Sequence, residues 1–587
     1  VRGRSFGAEK SYFDNTGMAR PIAPTAPDNP SPGVATPSSA QISPPQIILA
    51  TLNAKYIHAS LGLRYLLANM ARHGGADLRA RTVLRELTIN RPAQVVADAL
   101  LAELGPEPSD AQQGGAAQGS AVQVVGFGVY IWNVTQTCAV VRLLKAQRPC
   151  LKIVLGGPEV SHELEGQDIV ALADHVITGW GDVSFPKLCR ALIHGPQPLM
   201  KIIVGEQPPL EQLALPYDEY SQADLAHRVL YVEASRGCPF KCEFCLSSLD
   251  KTATAFELDA FLSAMDGLYQ RGARTFKFVD RTFNLKIDAS VRILQFFLDR
   301  LPPANSGDAA DNLFVHFEVI PDHLPDKLKA MIAQFPPGVL QFEVGIQSFN
   351  VEVQQRISRR QDNAKTQANV RWLVEQSHAH LHTDLIFGLP GETLQSFAQG
   401  FDTLYALRPH EIQLGILKRL RGTPIARHTL EHGMVYDAAP PYTVQQTGVV
   451  DAPTLQRFTR FARYWDLVAN SGRFGRTLPV LLDAPSPFDA FMAFADWLWA
   501  STQQTSGLTP EDLVDALFDY LCTQRHLSVA EVQATLLADY VASGARSNPR
   551  ALRGLLPREA AQASANALTQ RQQRHSTGAA PVANPII

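Results

Sequence analysis

Apolar positions along this chain alternate between two periods. From Gln46 a short apolar run at 47–52 is followed by helical spacing at Leu63, Leu66, Leu67 and Met70, which stops at Gly74-Gly75. Further buried-strand patterns occupy 122–129, 152–157 and 175–179, with a helical pattern at 135–146. Strands alternating with helices in this way predict a doubly wound parallel sheet with its ligand site at the carboxyl ends of the strands. A second series of strand patterns follows at 229–235, 275–280, 314–320, 339–346, 381–387 and 411–417, each separated from the next by a helix. Beyond Gly422-Thr-Pro424 the spacing is helical, at 455–470, 488–499 and 513–521. The fold class is therefore α/β, with an all-helical C-terminal domain.

The stretches between these patterns set the boundaries. Residues 1–45 are rich in Pro, Ser, Ala and Gly and bury too little apolar surface to offset ordering, so they read as a disordered tail, as do 558–587. Residues 105–121 read as an inserted loop and 206–227 as a linker, whose Pro216–Tyr220 piece packs on the second series of strands. The domains are then 46–205, 228–430 and 431–557.

Composition narrows the setting. With 53 basic and 56 acidic residues mixed along 587 positions, nothing argues for a nucleic-acid partner. No apolar run reaches the roughly 18 residues that span a bilayer, and the N-terminus lacks a signal-peptide layout. Seven cysteines, three of them clustered, do not make a disulfide framework, which points to a reducing, cytoplasmic setting.

The clustered thiols are Cys238, Cys242 and Cys245, a C-x3-C-x2-C run directly after a strand pattern. Thiolates are soft ligands for iron or zinc, and this spacing lets one loop wrap one centre with a coordination position left open. A structural zinc completed by a distant His is the plainer alternative. The run and its strand–loop–helix setting resemble the radical S-adenosylmethionine (SAM) superfamily. That resemblance implies a [4Fe-4S] cluster on the three cysteines, SAM on the open iron, and a partial (β/α)6 barrel at 228–430. It implies SAM contacts at Phe244, at Asp280 for the amino group, at Glu318, at Glu343, Gly345, Gln347 and Ser348 on the fourth strand, and at Gly388 and Gly391 after the fifth.

Residues 46–205 resemble the Rossmann-like cobalamin-binding domain that precedes the barrel in one class of that superfamily. The matching pieces are the loop Asn53–Gly62, Gly156-Gly157-Pro158-Glu159 and Gly179-Trp-Gly-Asp182. The resemblance implies cobalamin contacts at Asn53, His58, Gly128, Gly156, Gly157 and Gly179, since glycines at strand ends let a flat macrocycle lie against the backbone. The D-x-H-x-x-G pattern that supplies a histidine to cobalt is absent, so no protein ligand is expected beneath the metal.

Two other groups invite functional readings. Arg356, Arg359 and Arg360 read as an exposed basic helix face. His378, His380 and His382 alternate onto one strand face, but without a second run of ligands they do not argue for a metal. Taken together, the resemblances imply a cobalamin-dependent radical SAM enzyme that C-methylates an unactivated carbon of a small molecule, supplied with electrons by flavodoxin or ferredoxin. A radical rearrangement without methyl transfer and a non-catalytic cofactor sensor are the alternatives.

Overall fold

The computed structural model describes residues 44–107, 122–301, 313–545 and 547–556, together with 571, 574 and 575. Most of both terminal tails and most of the 105–121 loop lie outside the described residues.

The N-terminal sheet has six strands: β1 (Ile47–Asn53), β2 (Thr82–Thr88), β3 (Val124–Gly128), β4 (Lys152–Gly156), β5 (His175–Thr178) and β6 (Ile202–Val204). Their order is β2-β1-β3-β4-β5-β6 and each neighbouring pair is parallel. The central strands are apolar on both faces because helices cover both, giving one core beneath each face. Strands β2 and β6 were not expected from the apolar pattern. Both lie at sheet edges and are half covered, so β2 carries Arg85 and Glu86 and β6 ends on exposed Val204. The strand order reverses between β1 and β3, where a doubly wound sheet opens a crevice at its carboxyl ends.

The second sheet also has six parallel strands, β7 (Leu230–Val232), β8 (Thr275–Phe278), β9 (Phe314–Val319), β10 (Leu340–Gln347), β11 (His380–Phe387) and β12 (Glu411–Ile416), in sequential order. Strands β7 and β12 do not pair, so the barrel is open on one side. The period of two sorts its side chains. Phe276, Phe278, Phe317, Phe342 and Phe387 point outward, for instance Phe276 onto Phe297 (5.1 Å) and Phe387 onto Phe397 (5.1 Å) of the surrounding helices. The alternate positions fill the lumen with Lys277, His316, Glu318, Glu343, His382 and Asp384, in register across the sheet as Lys277–His316 and Glu318–Glu343–His382. This lumen is polar where a complete barrel is usually packed with branched apolar residues.

Side chains from flanking segments occupy both free edges. The hydroxyls of Tyr217 and Tyr220 each accept an N–H from the β7 edge and donate to a carbonyl there: Tyr217 engages both groups of Glu233, and Tyr220 both groups of Tyr231 (2.8–3.1 Å). On β12, Asn470 does the same for Ile412, at 2.9 and 3.1 Å. The linker thus packs on the barrel as expected. It also contains the helix Gln222–His227, closed by a Ser221/Asp224 capping box.

Five C-terminal helices, Ala452–Val468, Thr477–Leu481, Pro487–Thr502, Pro510–Thr523 and Val529–Ala542, share one continuous core with the barrel through Phe458, Phe461, Trp465 and Phe488. The aromatic stripe is core, as helical spacing suggested. The expectation of a disordered tail over 558–587 fails at Arg571, Arg574 and His575, which are helical and hydrogen-bond to the carbonyls of Asn470 and Ser471. No described helix is long and apolar enough to cross a membrane.

Candidate functional site

The cysteine loop leaves the carboxyl end of β7 and is held at every turn. Gly237 has φ +85°, and a Cβ there would fall 2.9 Å from both Ala253 N and Asp250 Oδ1, so only glycine fits. Next to it, Cys238 donates its N–H to Asp250 O (2.8 Å). In the middle of the loop Glu243 is 2 % exposed and accepts from Ser358 Oγ (2.5 Å), His428 Nε2 (2.8 Å) and Arg427. Its backbone also bonds to Ile357 and Ile425. Barrel segments after β10 and after β12 therefore clamp one loop residue.

All three thiols are free, Cys238 and Cys242 are buried, and Cys238 feels the charges of both Cys242 and Cys245. Burial pushes the Cys238 and Cys242 thiols up, opposed at Cys242 by the Arg359 guanidinium 3.6 Å from its sulfur. Arg359 also donates to Gly345 O. It is not part of an exposed basic face, because it bridges the loop to β10. Three soft donors on one loop, with a cation beside Cys242 and no fourth protein thiol in the loop, fit an iron–sulfur cluster with one open iron.

Around this loop the expected residues take distinct places. Asp280 is 3 % exposed, and its oxygens accept from Ala234 N (2.9 Å) and Ser235 Oγ (2.6 Å), so it fixes the chain leading into the loop from behind. Burial raises its carboxyl to about 7 against those hydrogen bonds. Glu318 pairs with Arg281 (2.6 Å), and Glu343 lies 3.2 Å from His316 Nε2. Burial works against the Glu343 anion, yet His316 and Lys277 hold its carboxyl well below the usual range. Burial, reinforced by Lys277, lowers His316 to about 4. Gln347, at φ +71°, folds its amide back over Gly345. Ser348 donates to Glu392 Oε1 (2.5 Å), whose other oxygen is buried without a hydrogen-bond partner, and burial lifts Glu392 to about 8. Gly388 (φ +86°) and Gly391 (φ +75°) meet the demands of their turn, with Val444 and Arg356 occupying the space a side chain would need. Phe244 is half-buried against the barrel core.

The second site is a cleft at the carboxyl ends of β3, β4 and β5, with an empty volume of about 880 Å³ that includes its open mouth. Gly128, Gly156, Gly157 and Gly179 all line it. Their reasons differ. A Cβ on Gly157 would strike Val129 O at 2.5 Å, whereas one on Gly179 meets nothing within 4 Å and one on Gly156 only Ile177 O at 3.8 Å. Side chains at Gly156 and Gly179 would thus project into the cleft. That glycine-lined space fits a broad planar ligand, and cobalamin is one.

Asn53 and His58 are not among the residues lining the cleft, contrary to expectation. Their loop turns toward the open side of the barrel, where His58 bridges to Val229 and its Nδ1 lies 2.7 Å from Tyr231 Oη. Asn53 holds that loop by donating to His58 O (2.6 Å). Burial, with Lys277 and Lys55 adding to it, lowers His58 to about 4. The loop joins the two domains, and its histidine forms no part of the cleft wall.

What sequence reasoning missed is the residue connecting the two sites. Arg236, two positions before Cys238, lines the cleft. It pairs with Asp182 and Glu233, and its guanidinium lies 4.3 Å from the Tyr65 ring centre and 4.8 Å from that of Trp180. The lumen set of Lys277, His316 and Asp384 was also missed, although charged residues at alternate positions in strand patterns were a readable signal.

Comparison with known proteins agrees with this geometry. The family profile of the Radical SAM superfamily matches residues 232–404. A second profile, Protein of unknown function (DUF4080), matches 430–581. The fold is that of OxsB, a cobalamin-dependent S-adenosylmethionine radical enzyme solved with aqua-cobalamin and S-adenosylmethionine (TM-score 0.56, 11 % identity, 91 % of this chain and 84 % of that one). It is also that of the radical S-adenosylmethionine methyltransferase TsrM from Kitasatospora setae, solved with cobalamin and a [4Fe-4S] cluster (TM-score 0.51, 16 % identity, 69 % and 82 %). Among curated proteins, the chain is 32 % identical over 177 residues to the uncharacterized methyltransferase PH0819 of Pyrococcus horikoshii, covering 25 % of this chain and 38 % of that protein. It is 24 % identical over 329 residues to the cobalamin-dependent radical SAM methyltransferase TokK of Streptomyces tokunonensis, covering 50 % and 47 %. The chain thus spans less than half the length of either.

Proposed function

We propose that this protein is a cobalamin-dependent radical SAM methyltransferase acting on an unactivated carbon of a small molecule. The observation that carries the reading is the convergence of the two sites. The glycine-lined cleft and the cysteine loop share Arg236, so ligands held by each face a common space at the strand ends. Bound together, the cluster, SAM and cobalamin would supply hydrogen-atom abstraction from carbon and a methyl group to replace the hydrogen.

The chain's own residues position these groups. Cys238, Cys242 and Cys245 hold the cluster, while Glu243 and Asp280 fix the loop that presents them. With Asp280 engaged from behind, the lumen carboxylates Glu318 and Glu343, paired with Arg281 and His316, are placed to meet the SAM ammonium. Gln347, Ser348 and the backbone of Phe244, Gly388 and Gly391 complete the contacts to its ribose and adenine. Gly128, Gly156, Gly157 and Gly179 would seat the corrin. The cluster would draw its electron from an external one-electron donor such as flavodoxin or ferredoxin. The lumen beneath is polar enough to hold a substrate by charge and hydrogen bonds.

Product analysis of the anaerobic, reconstituted protein with SAM labelled in its methyl group tests this reading. Methyl transfer consumes SAM in two ways, giving S-adenosylhomocysteine and 5′-deoxyadenosine in about equal amounts per product, with label on carbon. Deoxyadenosine and altered substrate without homocysteine product would favour rearrangement. If neither nucleoside formed under reduction, a sensor would be the better description.

A further inference from the structure

The floor of the barrel, at the amino ends of its strands and away from the cysteine loop, carries a compact cluster of imidazoles and one carboxylate. His380 and His382 are the first and third residues of β11, and Glu411 is the first of β12. They are 5, 6 and 2 % exposed. His378, which alternation had grouped with them, lies outside the strand and is exposed. Glu411 Oε1 lies 3.4 Å from His380 Nε2, 3.3 Å from His382 Nε2 and 3.8 Å from His575 Nε2. The donor atoms of His380, His382 and Glu411 all fall within 4.8 Å of one another.

These separations are long for hydrogen bonds. An N–H donor to a carboxylate settles at about 2.7–2.9 Å, and here several rings stand off from the same oxygen. They match something else. Zinc bonds of about 2.0–2.1 Å to nitrogen and oxygen put tetrahedral ligands about 3.4 Å apart, which is the spacing of Glu411 from His380 and His382. The surroundings fit a metal ligand set as well. The far nitrogen of His382, Nδ1, lies 2.7 Å from the Gln413 side-chain amide and 3.2 Å from that of Gln341; with either amide turned to present its oxygen, the ring donates from Nδ1 and leaves Nε2 free for a metal. The other oxygen of Glu411 pairs with Arg571 (2.7 Å), which in turn pairs with Asp466 (3.0 Å).

We infer that His380, His382 and Glu411 form a zinc site on the barrel floor, with His575 packed beside it and turned to the Asn470 carbonyl. Two imidazoles and a carboxylate supply three of the four positions of a tetrahedral zinc. Imidazole and carboxylate donors separate it in chemistry from the three thiols of the cluster loop.

The test is metal analysis of the full chain, independent of any turnover. The protein, desalted after expression with zinc, should retain about one zinc per chain. His380→Ala/His382→Ala should lower zinc at least tenfold while the iron–sulfur absorbance of the reconstituted protein persists. Conversely, Cys238→Ala/Cys242→Ala/Cys245→Ala should lose iron and keep zinc. Cobalt(II) added to metal-free wild-type protein should give the visible absorption of a tetrahedral ion, and His380→Ala/His382→Ala should abolish it. The wild-type cobalt spectrum reads the site without relying on a variant that could misfold. Wild-type protein that retains no zinc and yields no tetrahedral cobalt spectrum overturns the site, as does zinc that follows the cysteines.

Discussion

Arg236 donates through both terminal nitrogens to the two oxygens of Asp182, at 3.0 and 3.1 Å, across the junction between the N-terminal sheet and the barrel. Its third nitrogen position, Nε, donates to Glu233 at 2.8 Å. Neither carboxylate is well solvated, and the guanidinium is the countercharge to both. Removing one partner of a buried pair costs about 3–5 kcal/mol, because the other charge is stranded. Arg236→Ala should therefore destabilise by roughly that amount, read from denaturant midpoints. Arg236→Lys should recover part of it, since an ammonium cannot reproduce the two-pronged contact.

The glycines of the cleft make opposite predictions. Gly156→Val places its side chain in open cleft and should change stability by no more than about 1 kcal/mol, yet reduce corrin retention after desalting at least tenfold. Gly126→Val drives a Cβ to 2.5 Å from the Phe185 ring and should destabilise the whole domain. Equal corrin binding by wild type and Gly156→Val would remove cobalamin from the cleft.

His58→Ala should leave the spectrum of a bound corrin unchanged, because its imidazole faces Tyr231 and not the cleft. Its effect belongs to the domain junction, where the lost contact should speed proteolysis of the 53–60 loop. A corrin spectrum that shifts in this variant would overturn that placement.

Glu392 predicts a pH dependence. Burial raises its carboxyl from 4.5 to about 8, so the folded protein keeps a proton that the unfolded chain releases. The stability this contributes is complete below about pH 4.5 and is lost as pH rises through 8. Urea midpoints of wild type should fall between pH 6 and 9, and the part of that fall due to this group should vanish in Glu392→Gln, which keeps a neutral partner for Ser348.

Much of this architecture was legible because it rests on period and punctuation. The apolar runs of β1 and β3–β5 and the alternating barrel strands announced themselves, and the cysteine loop carried its chemistry in its spacing. The edge strands β2 and β6 did not, since a half-solvated strand carries charges that read as loop. Asn53 and His58 were misplaced because a loop between domains looks in sequence like a loop over a ligand. The partnership of Arg236 with Asp182 joins residues 54 positions apart, and that of Glu411 with Arg571 joins strand to tail. Neither leaves any trace in local spacing.

The capped edges of the open barrel bear on how this protein could be taken apart. The superfamily match begins at residue 232, after Tyr217 and Tyr220, and ends at 404, before Asn470. A fragment cut to the matched region would keep its chemistry-bearing loop but lose most of β7 and all of β12 together with the side chains that cap them. Unpaired backbone at both rims invites strand-to-strand association between copies. The barrel is thus not an interchangeable module. Chimaeras that graft it onto other N- or C-terminal domains should stay monodisperse only if the two tyrosines and the asparagine travel with it.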